Sequence, residues 1–232
     1  MINETDYVYW LMCIRGISSA KKRLLQETFR SARNVFYIEE TERKACWFLS
    51  EKEKEILKNE QTPSVIQERA ERWAKARREG IRLTFWKDES YPEKLTKIAQ
   101  PPYALFGVGE RCFSWNGITA AIVGARDASV YGKQMAYRFG TELAKAGVRI
   151  VSGMARGVDA RGLEGALEAG GGHWAVLGSG VDVCYPRENF RLYETLKQEG
   201  GILSEYLPGT PPLAENFPPR NRIISGLADV VL

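Results

Sequence analysis

Two apolar segments of this sequence each run into a glycine turn that is followed by an arginine. They are residues 120–126 (AAIVGAR) and residues 149–159 (RIVSGMARGVD). A buried strand that stops at glycine and leads into a helix leaves unpaired backbone N–H groups at its carboxyl end, and these groups attract anions. Arginine adds a planar, two-pronged donor that matches the oxygens of a phosphate. The spacing therefore predicts phosphate binding at the ends of two strands.

The arginines in the second half of the chain are concentrated in turns. The net charge is only +4, so any affinity for nucleic acid must come from the placement of the charges. From residue 120 onward there are nine arginines and three lysines, whereas ordinary solvated surfaces use lysine at least as freely. Seven of the nine lie in or beside glycine- or proline-containing turns: Arg126, Arg156, Arg161, Arg187, Arg191, Arg220 and Arg222. Such a spread suits a chain of phosphates better than one compact nucleotide.

Apolar strands and helices alternate regularly after residue 119. The predicted strands are 26 to 28 residues apart and are centred near Ile122, Ile150, Val176, Leu203 and Val231. Helices are predicted between them over residues 131–146, 159–169, 189–199 and 218–228. This alternation predicts an α/β fold with a Rossmann-like doubly wound, mostly parallel sheet over residues 81–232. In such a sheet the loops at the carboxyl ends of the strands share one edge, where ligands bind.

Two further strands are expected to precede the parallel ones. A strand-like stretch covers residues 81–86, and an edge strand is predicted at residues 103–107 because Pro101 and Pro102 cannot lie inside a central strand. The sequence ends on ADVVL, within a predicted strand, so we expect the sheet to be incomplete at its C-terminal end.

The first 62 residues have the pattern of a small all-helical domain. Apolar residues recur at helical spacing in two runs, and the turn between them contains Ser18 and Ser19, either of which can cap the second helix. The pattern is similar to SAM and helix-hairpin-helix modules, which can dock on a DNA backbone, but a helical bundle that only packs its aromatic side chains explains it as well. A charged helix from Pro63 to Glu79 predicts a linker over residues 63–80.

Several protein classes are disfavoured by composition. No apolar run approaches the roughly 18 residues that span a bilayer and the N-terminus lacks a signal-peptide pattern, so a cytoplasmic location is expected. The cysteines are widely scattered, which predicts neither a disulfide framework nor a zinc site, and we expect them to be reduced and mostly buried. No metal and no cofactor is predicted. The cysteines are Cys13, Cys46, Cys112 and Cys184.

Catalytic motifs are weak in this sequence. The first parallel strand is not followed by G-x-G-x-x-G, and there is no Walker P-loop. The single histidine, His173, precedes a strand and so lies at the wrong end of the sheet for a catalytic triad. Three carboxylates near the binding edge are candidate general acids or bases, with structural alternatives: Asp159 as a helix N-cap, Asp182 as a turn residue and Glu205 as an arginine counter-ion. We therefore predict phosphodiester binding and not an enzyme.

Several long motifs, in this order, strongly resemble the DNA-processing protein A family, also called DprA or Smf. They are VGARDASVYG, VSGMARGVDARGLEGAL, AVLGSGVDVCYPREN and GGILSEYLPGTPPLAENFPPRNRIISGLADVVL, with YPEKL and PPYALFGVG as a lead-in. The resemblance covers residues 81–232 closely and the N-terminal helices loosely. Members of that family bind single-stranded DNA on an extended Rossmann fold and load the recombinase RecA during natural transformation.

The resemblance also implies site residues. The family's phosphate-binding turn falls on residues 124–126, its basic contact after Tyr-Pro falls on Arg187, and its base-contacting aromatic falls on Phe217. From the residues alone, Phe217 is equally well explained as a loop anchor. The full implied DNA-binding set is Gly124, Ala125, Arg126, Ser152, Gly153, Arg156, Arg187, Asn189, Phe217, Arg220, Asn221 and Arg222.

The sequence departs from the family pattern in three places. Ala125 replaces a Ser or Thr and so removes one possible hydrogen bond, worth about 1 kcal/mol. Leu163 stands where the family often has a histidine. The chain stops before the family's next Ser-Gly-rich loop. We predict a single-stranded DNA-binding protein that protects DNA or passes it to RecA, and that is a homodimer at full length. The alternative is a nucleotide-hydrolysing enzyme of the phosphoribohydrolase type, whose P-G-G-x-G-T turn this sequence lacks.

Overall fold

The structure is a computed structural model that describes residues 2–232. Within that range six helices come first: α1 Glu4–Cys13, α2 Ser19–Phe29, α3 Ala32–Tyr37, α4 Glu40–Ala45, α5 Glu51–Glu60 and α6 Pro63–Arg78. Ser18 is the N-cap of α2, where its hydroxyl accepts a hydrogen bond from the Lys21 N–H at 3.3 Å. Helix α6 begins at the predicted proline. We call α1 to α6 the helical region.

The rest of the described chain alternates strands with helices. In order these are β1 Arg82–Phe85, α7 Glu93–Thr96, β2 Ala104–Val108, β3 Thr119–Ala121, α8 Val130–Lys145, β4 Arg149–Ser152, α9 Val158–Glu168, β5 His173–Val176, α10 Phe190–Glu199, β6 Gly201–Ser204, α11 Phe217–Leu227 and β7 Val230–Val231. Short 3₁₀ helices at Arg187–Asn189 and Ala214–Asn216 lead into α10 and α11. The four helices predicted between the parallel strands differ from these bounds by at most one residue.

The strands of residues 2–232 form one sheet in the order β1-β2-β6-β5-β4-β3-β7. Strands β3 to β7 pair with one another in parallel, whereas β2 is antiparallel to both β1 and β6. The predicted α/β fold with a mostly parallel sheet is confirmed. The prediction of an edge strand at residues 103–107 is wrong, because β2 pairs on both sides. Pro101 and Pro102 precede β2 and remove no hydrogen-bond donor from it.

The order of the strands creates a crevice. From β3 to β6 each new strand is added on the same side, but β7 pairs with the opposite side of β3, where Val230 lies beside Ala120. In a doubly wound sheet, ligands bind outside the carboxyl ends of the strands at such a reversal. The loops that follow β3 and β4 emerge at this point.

The helical region packs on the sheet through aromatic side chains. Trp73 of α6 stacks on Tyr9 of α1 with ring centroids 5.2 Å apart, and each ring lies 6.0 Å from the ring of Phe106 in β2. All three side chains are at most 2% exposed. Burial of three large rings contributes several kcal/mol to stability. Because one apolar core joins the helical region to the sheet, the domain boundaries at residues 62 and 80 stay a prediction.

Three smaller expectations can be checked in residues 2–232. Cys13, Cys46 and Cys112 are buried, Cys184 is half-buried, and none of them forms a disulfide in the described chain. Leu163 lies in α9 and is fully buried in the core, which accounts for an apolar residue there. No helix of the described range is both long and apolar enough to cross a membrane.

His173 should make the stability of the protein sensitive to acid. It opens β5, at the edge opposite the crevice, and is 2% exposed. Burial lowers the pKa of its imidazole to about 4, and the charge of Arg111 acts in the same direction. Above pH 6.5 the imidazole is neutral in both the folded and the unfolded state, so its titration does not change the stability there. Between pH 6.5 and 4 only the unfolded state binds the proton, so we expect stability to fall by about 3 kcal/mol through that window.

Urea unfolding at pH 7.5, 6.0 and 5.0 measures this loss. His173→Leu is the matched variant, since His173 is the only histidine in the chain. The variant should lose less stability between pH 7.5 and 5.0 than the wild type does. Parallel pH profiles for the two proteins would contradict the assignment.

Candidate nucleic-acid interface

The loops at the carboxyl ends of β3, β4 and β5 and the start of α11 enclose two adjoining cavities of about 290 and 470 Å³. Both cavities are lined by Arg126, Ala155, Phe217 and Arg220. The smaller also reaches Gly153, Arg156, Tyr185 and Glu188. The larger also reaches Gly124, Asn221, Arg222 and Ser225. We call the two cavities together the groove. Eight of the twelve predicted site residues therefore lie in its lining.

Asp159, in the first turn of α9, holds two loops of the groove together. Its Oδ1 accepts a hydrogen bond from the Gly124 N–H at 3.2 Å, and its Oδ2 accepts one from the Gly153 N–H at 3.1 Å. The side chain is 6% exposed, and this burial raises the pKa of the carboxyl group although the backbone donors favour its ionised form. The predicted role as helix N-cap is wrong, because Gly157 occupies that position. Asp159 instead sets the spacing between the ends of β3 and β4.

Arg220 forms the floor of the groove and is only 5% exposed. Its Nη1 donates to the carbonyl oxygen of Gly153 at 3.0 Å and also to that of Val176, so it joins the ends of β4 and β5. Burial lowers the pKa of its guanidinium to about 10, with the charge of Arg126 acting in the same direction and that of Asp159 opposing it. Arg220 therefore stays charged at neutral pH. It supplies a fixed positive charge beneath the groove.

Gly153 lies between these two buried charges. A Cβ atom at this position would lie 2.6 Å from a guanidinium nitrogen of Arg220 and 2.7 Å from Oδ2 of Asp159, so only glycine fits. The next residue, Met154, has a left-handed φ of 55°, and its carbonyl oxygen accepts a hydrogen bond from the Asn189 amide at 2.9 Å. The turn after β4 is thus held in an uncommon backbone conformation by its neighbours.

Phe217 is the central aromatic side chain of the groove. The guanidinium carbon of Arg126 lies 5.5 Å from its ring centroid, and the ring of Tyr185 lies at 5.5 Å with a tilt of 37°. A Cβ atom at Gly178 would lie 2.9 Å from the Phe217 ring, so the ring rests on the backbone that follows β5. Phe217 is half-buried. The ring is therefore anchored to the end of the sheet and also lines the groove.

The arginines of the groove differ in the partners they already have. Arg126 is exposed and lies over the Phe217 ring. Arg156 lies 3.7 Å from Glu188, and both side chains are about half exposed. Arg222 lies 2.6 Å from Glu205 in a more buried pair, with side chains 23% and 17% exposed.

Of the three carboxylates that the sequence offered as candidate general acids or bases, two take the structural roles suggested as alternatives. Glu205 is the counter-ion of Arg222. Asp182 is a turn residue whose Oδ1 accepts a hydrogen bond from the Gly209 N–H at 2.8 Å. Both carboxylates are therefore explained without a catalytic step.

Four predicted residues lie outside the lining of the groove. Ser152 is fully buried, and its hydroxyl donates to the carbonyl oxygen of Ile122 at 2.5 Å, so it stabilises the floor. Ala125 is exposed next to Arg126. Asn189 stabilises the turn after β4, because its side-chain amide donates to the carbonyl oxygen of Met154. Arg187 lines a separate cavity of about 480 Å³.

Two aromatic residues near the groove were not singled out from the sequence. Tyr185 is 40% exposed and lines the smaller cavity of the groove. Phe190 is 57% exposed and lines the separate cavity together with Arg187. A signal for both was present, since Tyr185 is the first residue of the YPREN segment that follows β5, and Phe190 comes directly after that segment at the start of α10.

A Rossmann-like sheet with an arginine-lined groove where the strand order reverses places the protein in the doubly wound α/β class. The family model for DNA recombination-mediator protein A matches residues 82–232, well over half of the sequence. The chain belongs to this family.

Named relatives agree with the family match. Protein Smf of Escherichia coli (strain K12) is 44% identical over 145 residues, which are 62% of this chain and 38% of that protein. DNA processing protein DprA of Bacillus subtilis (strain 168) is 36% identical over 156 residues, which are 67% of this chain and 52% of that protein. The chain thus spans about half or less of the length of these relatives.

Two solved structures are similar to this one. DNA processing protein A of Streptococcus pneumoniae matches 99% of this chain and 77% of its own, with a TM-score of 0.72 and 29% identity. DNA processing protein A of Helicobacter pylori, a structure concerned with its single-stranded DNA binding mode, matches 65% of this chain and 67% of its own, with a TM-score of 0.58 and 33% identity. The first match extends over the helical region as well as the sheet.

Asp159→Asn should lower the free energy of unfolding by about 2 to 3 kcal/mol. An amide has one acceptor oxygen, so either the Gly124 or the Gly153 N–H would be left facing another donor in a buried site. Urea denaturation measures the loss. Asp127→Asn, at an exposed position in the loop after β3, is the matched control and should change stability by no more than about 0.5 kcal/mol. Equal stabilities for the two variants would count against the bridging role of Asp159.

Proposed function

We propose that the groove binds single-stranded DNA and that the protein acts on it by binding, without cleaving it. The observation that carries this proposal is the contact between exposed Arg126 and half-buried Phe217, at the edge of the sheet where the loops after β3, β4 and β5 meet. A cation beside an aromatic ring is the combination that binds a phosphate and an unpaired base of the same nucleotide.

The charges of the groove support binding to a phosphate chain. Arg126 offers exposed donors, and Arg220 adds a fixed charge beneath them. Helix α9 begins at the same edge, and its dipole adds partial positive charge. Arg156 and Arg222, each beside a carboxylate, lie on either side, so the cations are spread over several loops. This spread favours an extended polymer over a mononucleotide.

The aromatic side chains support a preference for single strands. A base can stack on Phe217 only when its face is not covered by neighbouring bases, which a duplex does not allow. Tyr185 beside it enlarges the aromatic surface. The similar protein from Helicobacter pylori, 33% identical to this chain, has a structure concerned with single-stranded DNA binding. That likeness supports the same ligand here.

For the whole protein we infer a further role, in which the bound strand is protected and delivered to the RecA recombinase during recombination or natural transformation. We also infer a homodimer that works in the cytoplasm. These inferences come from the family, and they concern a longer protein, because the chain spans about half or less of its curated relatives. A RecA filament-nucleation assay on single-stranded DNA tests them with the full-length protein, which should shorten the lag before filament growth.

Arg126→Ala should weaken binding of a fluorescent thymidine oligonucleotide about 5- to 20-fold at low salt. It should also make the plot of log K against log salt shallower by about 0.7, because one phosphate contact on a single strand is lost. Fluorescence anisotropy at several KCl concentrations measures both values. Arg78→Ala, at an exposed position at the end of α6, is the matched control. An unchanged slope would remove Arg126 from the DNA path.

Phe217→Leu should weaken single-stranded DNA binding by about fivefold or more, since stacking on one ring is worth about 1 to 3 kcal/mol per base. Binding to duplex DNA of the same length should change little. Competition between the two DNA forms measures this selectivity, and Phe139→Leu, on the exposed surface of α8, is the control. Equal losses for single strands and duplex would show that Phe217 acts only as a loop anchor. Tight binding or hydrolysis of a mononucleotide would instead support the enzyme alternative.

A further inference from the structure

Glu205 connects the groove to the helical region. It directly follows β6, and its Oε2 accepts a hydrogen bond from Nη2 of Arg222 at 2.6 Å. Its Oε1 accepts a hydrogen bond from the hydroxyl of Ser19, the first residue of α2, at 3.1 Å. The two oxygens of one carboxylate therefore contact two separate parts of the fold, one in the DNA-binding edge and one in the helical region.

Glu205 pairs with a cation, Arg222, that lines the groove. Arg222 lies in the wall of the larger cavity, yet its charge is compensated by a carboxylate at 2.6 Å. The pair is largely shielded from solvent, so its attraction is stronger than that of a surface ion pair. The pair between Arg156 and Glu188 is longer, at 3.7 Å, and about half exposed. A phosphate can displace Glu188 more easily than it can displace Glu205.

Helix α2 keeps Glu205 in this place. Ser19 donates to the carboxylate, and Lys22, one turn further along, is buried with its ammonium donating to the Met12 carbonyl at 3.0 Å. Burial lowers the pKa of Lys22 to about 8, and the negative charge of Glu205 opposes that shift. Both groups of α2 therefore attract the Glu205 side chain and favour its position close to the helical region.

We infer that the helical region regulates the affinity of the groove by holding Glu205 against Arg222. This inference rests on the proposed function, because it requires single-stranded DNA in the groove. While Ser19 holds the carboxylate, Arg222 is withheld from phosphates and the groove carries one positive charge fewer. Release of Glu205 from Ser19 adds one cation to the DNA path. Ser19 and Glu205 are thus positioning residues that act through Arg222.

Glu205→Gln should tighten binding of a labelled thymidine oligonucleotide about three- to tenfold at low salt. It should also steepen the salt dependence by about 0.7, since Arg222 becomes free for one phosphate. A role in folding alone would not move the slope. Glu199→Gln, at the end of α10 and at the opposite edge of the sheet, makes the same change in net charge and is the matched control. The control should leave the slope unchanged.

Ser19→Ala tests the link to the helical region without changing any charge. Loss of its hydrogen bond should tighten binding about twofold, and the double variant with Glu205→Gln should bind like Glu205→Gln alone, because the serine acts through the carboxylate. If Glu205→Gln does not fold, the affinity of Ser19→Ala alone tests the inference, because tighter binding supports it and unchanged or weaker binding contradicts it. Weaker binding by a folded Glu205→Gln protein, or a Ser19→Ala effect that persists in the double variant, would overturn the inference.

The outcomes separate this inference from the proposed function. If the wild-type protein does not bind single-stranded DNA, the proposed function is wrong and the regulation by α2 is wrong with it. If the wild type binds and Arg126→Ala weakens binding, but Glu205→Gln and Ser19→Ala both match the wild type in affinity and salt slope, only the regulation is wrong.

Discussion

The groove depends on two buried charged side chains that bind the backbone. Asp159 accepts hydrogen bonds from the turns after β3 and β4, and Arg220 donates to the ends of β4 and β5. Where parallel strands end, their last N–H and C=O groups lack partners in the sheet, and burial without partners costs free energy. The two opposite charges lie on either side of Gly153, so each offsets part of the cost of burying the other. Loss of either side chain leaves the other as an uncompensated buried charge.

The number of arginines at this edge therefore overstates the number of cations that a ligand can use. Arg220 donates hydrogen bonds to backbone carbonyl oxygens, Arg222 forms an ion pair with Glu205, and Arg156 lies near Glu188. Arg126 is exposed, and its guanidinium lies beside the ring of Phe217. Each carboxylate that pairs with a cation lowers the local potential that attracts phosphates. For the proposed ligand, the counter-ions would therefore set the affinity together with the arginines.

Local patterns predicted the elements well and the side-chain partners poorly. The spacing of apolar runs placed the parallel strands and the helices between them, because strand and helix periods are local properties of a sequence. The partners of Asp159 are Gly124 and Gly153, and those of Arg220 are Gly153 and Val176, which come together only when β3, β4 and β5 are aligned. The partner of Ser152 has the same origin, since its hydroxyl donates to the carbonyl oxygen of Ile122, which directly follows β3. The true position of β2 also required a distant strand, β6.

The groove combines buried side chains that are fixed by the backbone, Arg220 and Asp159, with an exposed one, Arg126. This combination suits a flexible ligand. A single strand loses conformational entropy when it binds, and side chains that become ordered at the same time add to that cost. Arg220 and Asp159 are already fixed by the backbone, so they add charge and shape without a further loss of entropy. Arg126 is exposed, and its contact with the anchored Phe217 ring limits the freedom that it has left to lose. In the proposed function, affinity for a single strand would therefore come from few exposed groups on a rigid edge. The inferred release of Glu205 would adjust that affinity without disturbing the floor.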